Sequence, residues 1–291
     1  MDIRTGGTIP TRRWHVELSL SSTRTLSNGV TIPRLGLGTY KATDGFEVES
    51  EIAAALEIGY RGIDTARIYG NEDGVGRAVR TSAIPRDELF IATKVWNDDQ
   101  GHRSTLAAFD RSMERLGLEV LDLYLVHWPQ PPLMRETWRA MEEIYASGRV
   151  RAIGVCNHLV HHLEEMRTFA DVMPMVDQCE HHPGLQQPAL RTWCAANGVV
   201  LQAWAPVMRG RVFGIPELVA IGEAHGKTAA QVSIRWILQH DVVTIPKSVH
   251  VERIRENADV FDFELSEKEM AVIDGLDRGE RIGPNPDTGP F

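Results

Sequence analysis

The chain has little cysteine and no long apolar run. Only Cys156, Cys179 and Cys194 occur in 291 residues, too few for a disulfide framework, which favours a reducing cytoplasmic compartment. No apolar run reaches the roughly 20 residues that a membrane span needs. Residues 1–24 also lack the apolar stretch of a signal peptide. We therefore expect a cytoplasmic protein with no membrane partner.

Two further features are missing. Lysine and arginine number 31 against 40 aspartate and glutamate residues, a formal net charge of −9, so the basic face of a nucleic-acid binder is not expected. No Gly-x-Gly-x-x-Gly string opens a helix after an early strand. That absence argues against an open, doubly wound dinucleotide-binding sheet.

What is present is a regular alternation of strand and helix patterns. The strand-like runs are Arg34–Tyr40, Arg61–Thr65, Leu89–Val95, Leu121–Trp128, Val150–Cys156, Met175–Glu180, Val199–Ala205 and Val242–Lys247. The helical patterns are Glu47–Ile58, Arg103–Arg115, Leu133–Ala146, Leu159–Phe169, Pro188–Ala196 and Thr228–Gln239. Eight strands that alternate with helices indicate a parallel sheet, and the length suits one (β/α)8 TIM barrel.

The ends of the chain differ from this pattern. We interpret residues 1–24 as a flexible N-terminal extension and residues 25–291 as a single domain, expected to be monomeric. Asn28-Gly29 inside Leu26–Ile32 predicts a β-hairpin with a tight primed turn, placed to plug the bottom of the barrel. The Gly- and Pro-rich residues 277–291 predict an irregular tail.

Four polar residues stand at or just past the ends of predicted strands. They are Asp64 and Tyr69 in GIDTARIYGNE, Lys94 in LFIATKVWN and His127 in LDLYLVHWP. In a closed parallel barrel these ends meet at the carboxyl rim, where barrel enzymes carry out their chemistry. The four side chains are therefore predicted to meet there.

The four residue types suit the reduction of a carbonyl group. A carbonyl that accepts hydride needs a proton on its oxygen. Tyr69 could donate that proton if Lys94 lowered the pKa of the phenol; Asp64 would keep Lys94 charged, and His127 would orient the substrate oxygen. Each of the four residues, taken alone, also has a purely structural explanation. Tyr69 could be a packing residue and His127 a hydrogen-bonded core histidine. Asp64 could cap a helix N-terminus, and Lys94 could extend its charged end to solvent at the rim.

The strings around these residues resemble the aldo-keto reductases. The resemblance runs from about Leu26 to about Asp277 and rests on LGLGTYK, GYRGIDTARIYGNEDGVG, ATKVWN, LDLYLVHWP, IGVCNH, IPKSVHVERIREN and FELSEKEMAVIDGLD. It implies a (β/α)8 barrel with an extra C-terminal helix, a catalytic tetrad of Asp64, Tyr69, Lys94 and His127, and NADPH as the cofactor, with NADH at lower affinity. NEDGVG, WND and VFDF further resemble the bacterial 2,5-diketo-D-gluconate reductase branch.

The resemblance also implies which residues hold the cofactor. Lys247, Ser248 and Arg253 correspond to the site of the 2′-phosphate, Glu256 and Asn257 to the adenine site, and Trp204 to the ring that stacks on the nicotinamide. The full expected set is Thr39, Asp64, Cys156, Asn157, Gln178, Trp204, Val207, Lys247, Ser248, Val249, Arg253, Glu256 and Asn257. Taken alone, Trp204 reads as core packing and the 247–257 segment as a solvated helix face.

Three positions depart from the family pattern. His250 stands where close relatives often have arginine, a replacement that would loosen the preference for NADPH. Cys156 stands where the family usually has serine, and a thiol is a weaker hydrogen-bond donor. Asp177 stands where asparagine is common, so we expect either a nearby cation or a raised pKa.

The expected substrate is a small carbonyl compound. Tyr40, Trp96 and Trp128 are predicted to wall its pocket. The principal alternative is a cofactor-sensing binding protein on the same scaffold with little turnover. A metal-dependent barrel hydrolase is a third possibility, but the five histidines His158, His161, His162, His181 and His182 lie in no recognisable ligand pattern, and no metal site is predicted.

Overall fold

Ten strands organise the structure, a computed structural model that describes residues 18–289. A two-stranded antiparallel hairpin comes first, and eight parallel strands follow. The strands are β1 (Thr23–Thr25), β2 (Thr31–Pro33), β3 (Gly36–Gly38), β4 (Gly62–Asp64), β5 (Phe90–Val95), β6 (Leu121–Val126), β7 (Val150–Cys156), β8 (Val176–Glu180), β9 (Val200–Trp204) and β10 (Val243–Thr244). Each predicted strand run contains one of β3 to β10.

The eight parallel strands close into a barrel. Neighbours pair in chain order from β3 to β10. Two parallel bridges, Leu35 to Thr244 and Gly38 to Lys247, then join the last strand region to the first. All six residues of β5 and all six of β6 are buried, as expected for strands covered on both faces. The predicted TIM barrel is confirmed.

Ten α-helices accompany the strands among residues 18–289. They are α1 (Phe46–Ile58), α2 (Glu72–Thr81), α3 (His102–Leu116), α4 (Met134–Ala146), α5 (Val160–Met166), α6 (Pro188–Ala196), α7 (Pro216–His225), α8 (Ala229–Gln239), α9 (Val251–Ala258) and α10 (Glu267–Asp274). The last is the extra C-terminal helix. No helix in this part of the chain is long and apolar enough to cross a bilayer.

The sequence did not predict helix α2, because two glycines interrupt its helical pattern. Glycine disfavours a helix by about 1 kcal/mol relative to alanine. Packing explains both: a Cβ on Gly74 would lie 2.5 Å from Val48 on α1, and one on Gly76 would overlap the Leu116 carbonyl group at the end of α3. Tertiary contact therefore overrides local propensity here.

The hairpin lies at the amino end of the barrel strands. Gly29 has φ 88° in its turn, and the Asn28 side chain accepts a hydrogen bond from the Val30 amide. Pro33 approaches Gly62 at the start of β4. The hairpin starts at Thr23 and residues as early as Leu18 pack on the core, so ordered structure begins before the predicted boundary at residue 25. The first 17 residues of the predicted extension lie outside the described residues.

We expect Gly76→Ala to lower stability despite the better helix propensity of alanine. Overpacking costs about 1–3 kcal/mol, which exceeds the gain of about 1 kcal/mol in propensity. Urea unfolding provides the measurement. The matched control is Gly214→Ala, since a Cβ there has nothing within 4 Å. A Gly76→Ala variant that is more stable than the wild type would show that α2 and α3 separate easily.

Candidate active site

The carboxyl ends of β4 and β5 bring Asp64 and Lys94 together in the barrel interior. Lys94 Nζ donates hydrogen bonds to Asp64 Oδ1 at 2.5 Å and to the Thr65 carbonyl oxygen at 2.7 Å. The side chains of Lys94 and Asp64 are 1% and 4% exposed. Burial alone lowers the pKa of Lys94, but Asp64 and Tyr69 outweigh it and raise the pKa above its ordinary value. Lys94 is therefore a permanent cation.

The second carboxylate oxygen of Asp64 is also held. Gln178 Nε2, at the interior of β8, donates to Asp64 Oδ2 at 2.8 Å and to Gln202 Oε1 on β9 at 2.9 Å. Both amide hydrogens of Gln178 are thus used. The Oε1 atom of Gln178 has no hydrogen bond within the described chain, so this side chain offers an acceptor to a ligand.

Tyr69 packs beside this ion pair. It ends a short 3-10 turn, Arg67–Tyr69, that follows β4. Its ring centroid lies 5.1 Å from Lys94 Nζ. Burial raises the pKa of Tyr69 to about 12, although the charge of Lys94 lowers it. Desolvation exceeds the effect of the cation, so Tyr69 keeps its proton at neutral pH.

His127 follows β6 and faces Tyr69. The two ring centroids are 5.8 Å apart, with an interplanar angle of 78°. Burial, aided by the charge of Lys94, holds the pKa of His127 well below its usual range, so the imidazole is neutral. Its buried Nδ1 atom has no hydrogen-bond partner within residues 18–289. The ring is therefore available to a ligand.

A cavity of about 580 Å³ opens over these groups at the carboxyl rim. The predicted residues that line it are Tyr40, Asp64, Tyr69, Trp96, His127, Trp128, Asn157, Gln178, Trp204, Val207 and Lys247. Gly38, Lys41, Ile68, Ala205, Pro206, Arg209, Ile245 and Pro284 also line it. The three residues predicted to wall the substrate pocket thus share one cavity with three of the four predicted catalytic residues; Lys94 lies behind them, paired to Asp64.

Asn157 connects two walls of this cavity. It lies just past β7 with φ 61°. Its Nδ2 atom donates to the His127 carbonyl oxygen at 2.9 Å, and its Oδ1 atom accepts from Trp204 Nε1 at 2.8 Å. One amide hydrogen and one lone pair remain on Asn157. The side chain fixes the indole and keeps hydrogen-bonding capacity for a ligand.

The segment between β10 and α9 brings cations to the edge of the cavity. Lys247 lines it and has no ion-pair partner within the described chain. Arg253 is exposed on α9, also unpaired there. Ser248 is buried, and its Oγ atom accepts a hydrogen bond from the His250 amide at 3.1 Å. These residues form a positively charged helix start.

The remaining predicted cofactor residues have internal contacts. The Thr39 hydroxyl donates to the Asp64 carbonyl oxygen at 3.0 Å, and Glu256 Oε1 accepts from Thr228 Oγ1 at 2.6 Å. Val249 is half-buried against the core, and Asn257 is buried on α9. None of the four lines the cavity.

The departures at Cys156 and Asp177 lie on the neighbouring strands β7 and β8. Cys156 is buried and pairs in register with Gln178. Burial raises the pKa of the Cys156 thiol well above its usual range, so it is uncharged. Burial likewise raises the pKa of Asp177 well above that of an ordinary carboxyl group. Of the two expectations for Asp177, the raised pKa is the one the structure supports.

Three of the five histidines contact a carboxylate. His182 Nε2 lies 3.0 Å from Glu180 Oε1, and His161 and His162 share Asp287. His161 Nε2 and His162 Nε2 lie 3.0 Å and 3.3 Å from Asp287 Oδ1, and one ligand atom from each residue falls within 4.8 Å of the others. His162 Nδ1 accepts the Leu159 amide at 3.1 Å, which leaves the proton on Nε2. That tautomer suits a hydrogen bond to Asp287 rather than metal ligation.

The C-terminal tail forms part of the cavity wall, which the sequence did not predict. The buried Glu180 at the end of β8 accepts hydrogen bonds from the Ile282 amide at 2.5 Å and the Gly283 amide at 3.1 Å. A side chain on Gly283 would overlap the Trp204 indole. These contacts place Pro284 in the cavity wall. The Gly- and Pro-rich composition of the tail predicted irregularity but gave no signal of its destination.

A profile of the aldo/keto reductase family matches residues 34–278. The chain belongs to this family. The expected family membership is confirmed, while its assignment to the diketogluconate reductase branch stays a prediction.

Individual relatives support the same class. The glyoxal reductase of Bacillus subtilis is 53% identical over 269 residues, which cover 92% of this chain and 98% of that protein. The methylglyoxal reductase DkgA of Escherichia coli is 43% identical over 266 residues, 90% of this chain and 96% of the relative. A crystal structure of a Gox0644 mutant in complex with NADPH has a TM-score of 0.88 and 41% identity, and the match covers 93% of this chain and 99% of that one.

These findings define an enzyme class and its cofactor. The protein is an aldo-keto reductase, an oxidoreductase that uses NADP(H).

We expect Asp64→Asn to destabilise the fold strongly. Removal of one partner leaves the Lys94 charge buried and uncompensated, which typically costs about 3–5 kcal/mol. The double variant Asp64→Asn with Lys94→Met removes both charges and should recover much of that loss. Urea unfolding at pH 7 measures both. Equal losses in the single and double variants would show that the lone Lys94 charge is not what destabilises the single variant.

Proposed function

We propose that the protein reduces small aldehydes, ketones, keto acids or keto sugars to alcohols with NADPH. The observation that carries the proposal is the placement of Tyr69 in one cavity with His127, directly beside the buried Lys94–Asp64 pair. When bound, NADPH supplies the hydride that adds to the carbonyl carbon. The chain's own residues must then bind the carbonyl oxygen and protonate it.

Tyr69 is the proposed proton donor. Its phenol stays protonated at neutral pH because burial raises its pKa to about 12. As negative charge develops on the substrate oxygen, the proton of Tyr69 Oη moves to that oxygen and a tyrosinate forms. The fixed charge of Lys94 stabilises this tyrosinate without any reorganisation of the site. The cation thus acts on the product of the proton transfer.

His127 is the proposed orienting residue. A neutral imidazole carries one N–H donor, and this ring has no hydrogen bond of its own within the described residues. Its edge-on contact with Trp96, with centroids 5.1 Å apart, holds the ring in place. A hydrogen bond from His127 to the substrate oxygen would fix that oxygen beside Tyr69.

The residues at the cavity suit NADPH. Lys247 and Arg253 are cations without partners in this part of the chain, as a phosphate monoester requires. The Trp204 indole presents an aromatic wall in the cavity. Gln178 offers an acceptor and Asn157 a further donor, which matches a carboxamide group. We therefore assign the 2′-phosphate to Lys247 and Arg253, and the nicotinamide to Trp204, Asn157 and Gln178.

The substrate class follows from the wall residues and the relatives. Tyr40, Trp96 and Trp128 surround the mouth with aromatic surface. Two relatives are a glyoxal reductase and a methylglyoxal reductase. We propose that this chain likewise accepts short dicarbonyl compounds. Assays with glyoxal, methylglyoxal and larger ketones, followed by loss of NADPH absorbance, test this. No turnover of any carbonyl, with NADPH still bound, would favour the cofactor-sensing alternative.

We expect Tyr69→Phe to reduce turnover at least about 100-fold, the scale of losing a general acid. The Kd for NADPH should change little, because the phenol hydroxyl acts on the substrate. Steady-state kinetics and cofactor titration measure the two quantities. Tyr40→Phe is the matched control, since it removes a hydroxyl from the neighbouring ring, 5.1 Å away between centroids. Near-normal turnover in Tyr69→Phe would remove Tyr69 from the proposed role.

We expect Lys247→Ala and Arg253→Ala to weaken NADPH more than NADH. Only NADPH has the 2′-phosphate, and a charge-assisted contact contributes about 1.5–3 kcal/mol, or roughly tenfold or more in Kd. Titration with both cofactors, read from quenching of tryptophan fluorescence, gives the ratio. Equal losses for both would mean that these residues support the helix and not the phosphate.

A further inference from the structure

A buried carboxyl group without a partner lies on α1. Glu51 is 1% exposed, and neither of its side-chain oxygens has a hydrogen-bond partner within residues 18–289. Such a group is costly to bury, and most buried polar groups in native structures are satisfied. The catalytic chemistry proposed above makes no use of Glu51.

The helix geometry of α1 shows which way Glu51 faces. Val48 faces α2, because a Cβ on Gly74 would approach its side chain to 2.5 Å. Glu47 and Glu51 are one turn apart and lie together on the adjoining side of the helix. α1 packs against α9 as well as α2. Glu49, on the other side of the helix, pairs with Arg77 of α2 at 2.8 Å, so the side that carries the two glutamates is directed towards α9.

The effects of Lys247 and His250 on the two glutamates agree with a direction towards α9. The Thr43 amide is the main cause that lowers the pKa of Glu47, and Lys247 and His250 contribute to the same effect. Burial raises the pKa of Glu51 to about 8. The negative charge of Glu47 adds to this rise, and the positive charge of Lys247 opposes it. Lys247 thus acts on both carboxyl groups, although it forms an ion pair with neither.

We propose that Glu51 is a specificity-determining residue for the cofactor, whose carboxyl group sets the positive charge that Lys247 presents to the 2′-phosphate. While Glu51 is neutral, the charge of Lys247 is available to the phosphate. Once Glu51 is ionised, it offsets Lys247 and repels the phosphate. The inference rests on the proposed role of Lys247.

The direction of the pH effect follows from linkage. The bound 2′-phosphate adds negative charge near Glu51 and so favours the protonated carboxyl group. Affinity for NADPH is therefore fully present below pH 8 and declines as pH rises through that value. NADH lacks the phosphate and should not show this decline. NADPH binding near pH 8 should take up protons through Glu51.

The other charged groups around α1 do not distinguish the variants compared below. Glu252, Arg253, Arg255 and Glu256 on α9, which packs against α1, stay unchanged when Glu51 alone is replaced. Glu47 has a lowered pKa and stays ionised through the window. On the side of α2, Arg77 is paired with Glu49 at 2.8 Å and with Asp44 at 3.3 Å. Lys247 and His250, at the start of α9, stay unchanged when Glu51 alone is replaced, so the comparison isolates Glu51.

The test compares wild type with Glu51→Gln at pH 7 and pH 9. NADPH and NADH are titrated separately, with quenching of tryptophan fluorescence as the signal. In the wild type, the NADPH preference should fall about fivefold or more between the two pH values, a typical coupling between charged sites. In Glu51→Gln it should stay nearly constant. Glu49→Gln, on the same helix, is the matched control and should behave as the wild type.

A second measurement is proton uptake by calorimetry at pH 8 in two buffers of different ionisation enthalpy. NADPH binding should take up more protons in the wild type than in Glu51→Gln, and NADH binding should show no such difference. Glu51→Leu replaces the glutamine variant if that variant folds poorly. Equal proton uptake and equal pH dependence in wild type and variant would overturn the proposal for Glu51.

Lys247→Ala distinguishes a failure of the proposed phosphate site from a failure of the proposed role of Glu51. If it weakens NADPH selectively and removes the pH dependence, Glu51 acts through Lys247 as proposed. If it weakens NADPH selectively while Glu51→Gln has no effect at either pH, the phosphate site stands and the role of Glu51 falls. If it affects both cofactors equally, the proposed phosphate site itself is wrong.

Discussion

The buried ion pair between Lys94 and Asp64 is the interaction on which the rest of the site depends. The pair joins β4 to β5 at 2.5 Å, and Gln178 extends it to β8. A lone charge at this depth would be costly, so each partner needs the other. The cation then acts on its neighbours: its charge opposes the rise in the pKa of Tyr69 and disfavours a second positive charge at His127.

Burial has the larger effect on every titratable group around that pair. It keeps Tyr69 protonated, His127 neutral and Asp177 uncharged. The result is one fixed ion pair surrounded by neutral hydrogen-bonding groups, which suits a reaction in which charge develops only at the substrate oxygen. The same principle operates at Glu51, where burial raises the pKa of the carboxyl group to about 8 against the charge of Lys247.

Much of this arrangement was predictable from the sequence because strands and their ends have local signatures. Each of the eight barrel strands falls within a predicted run, and Asp64, Tyr69 and His127 line one cavity beside Lys94. The helix α2 was missed because Gly74 and Gly76 are explained only by contacts with α1 and α3. Pro284 was missed because its place in the cavity wall depends on hydrogen bonds from the tail to Glu180, about 100 residues away in sequence.

The sequence by itself determined the alternation of strands and helices, and hence which residues stand at the carboxyl ends of the strands. Apolar runs of strand length and the residues that end them are local features. Protonation states were decided only in the tertiary structure, since desolvation depends on everything that covers a group. That is why the sequence left the pKa of Tyr69 as a condition, whereas burial raises it to about 12, and why Glu51 gave no signal before α1 packed against α9.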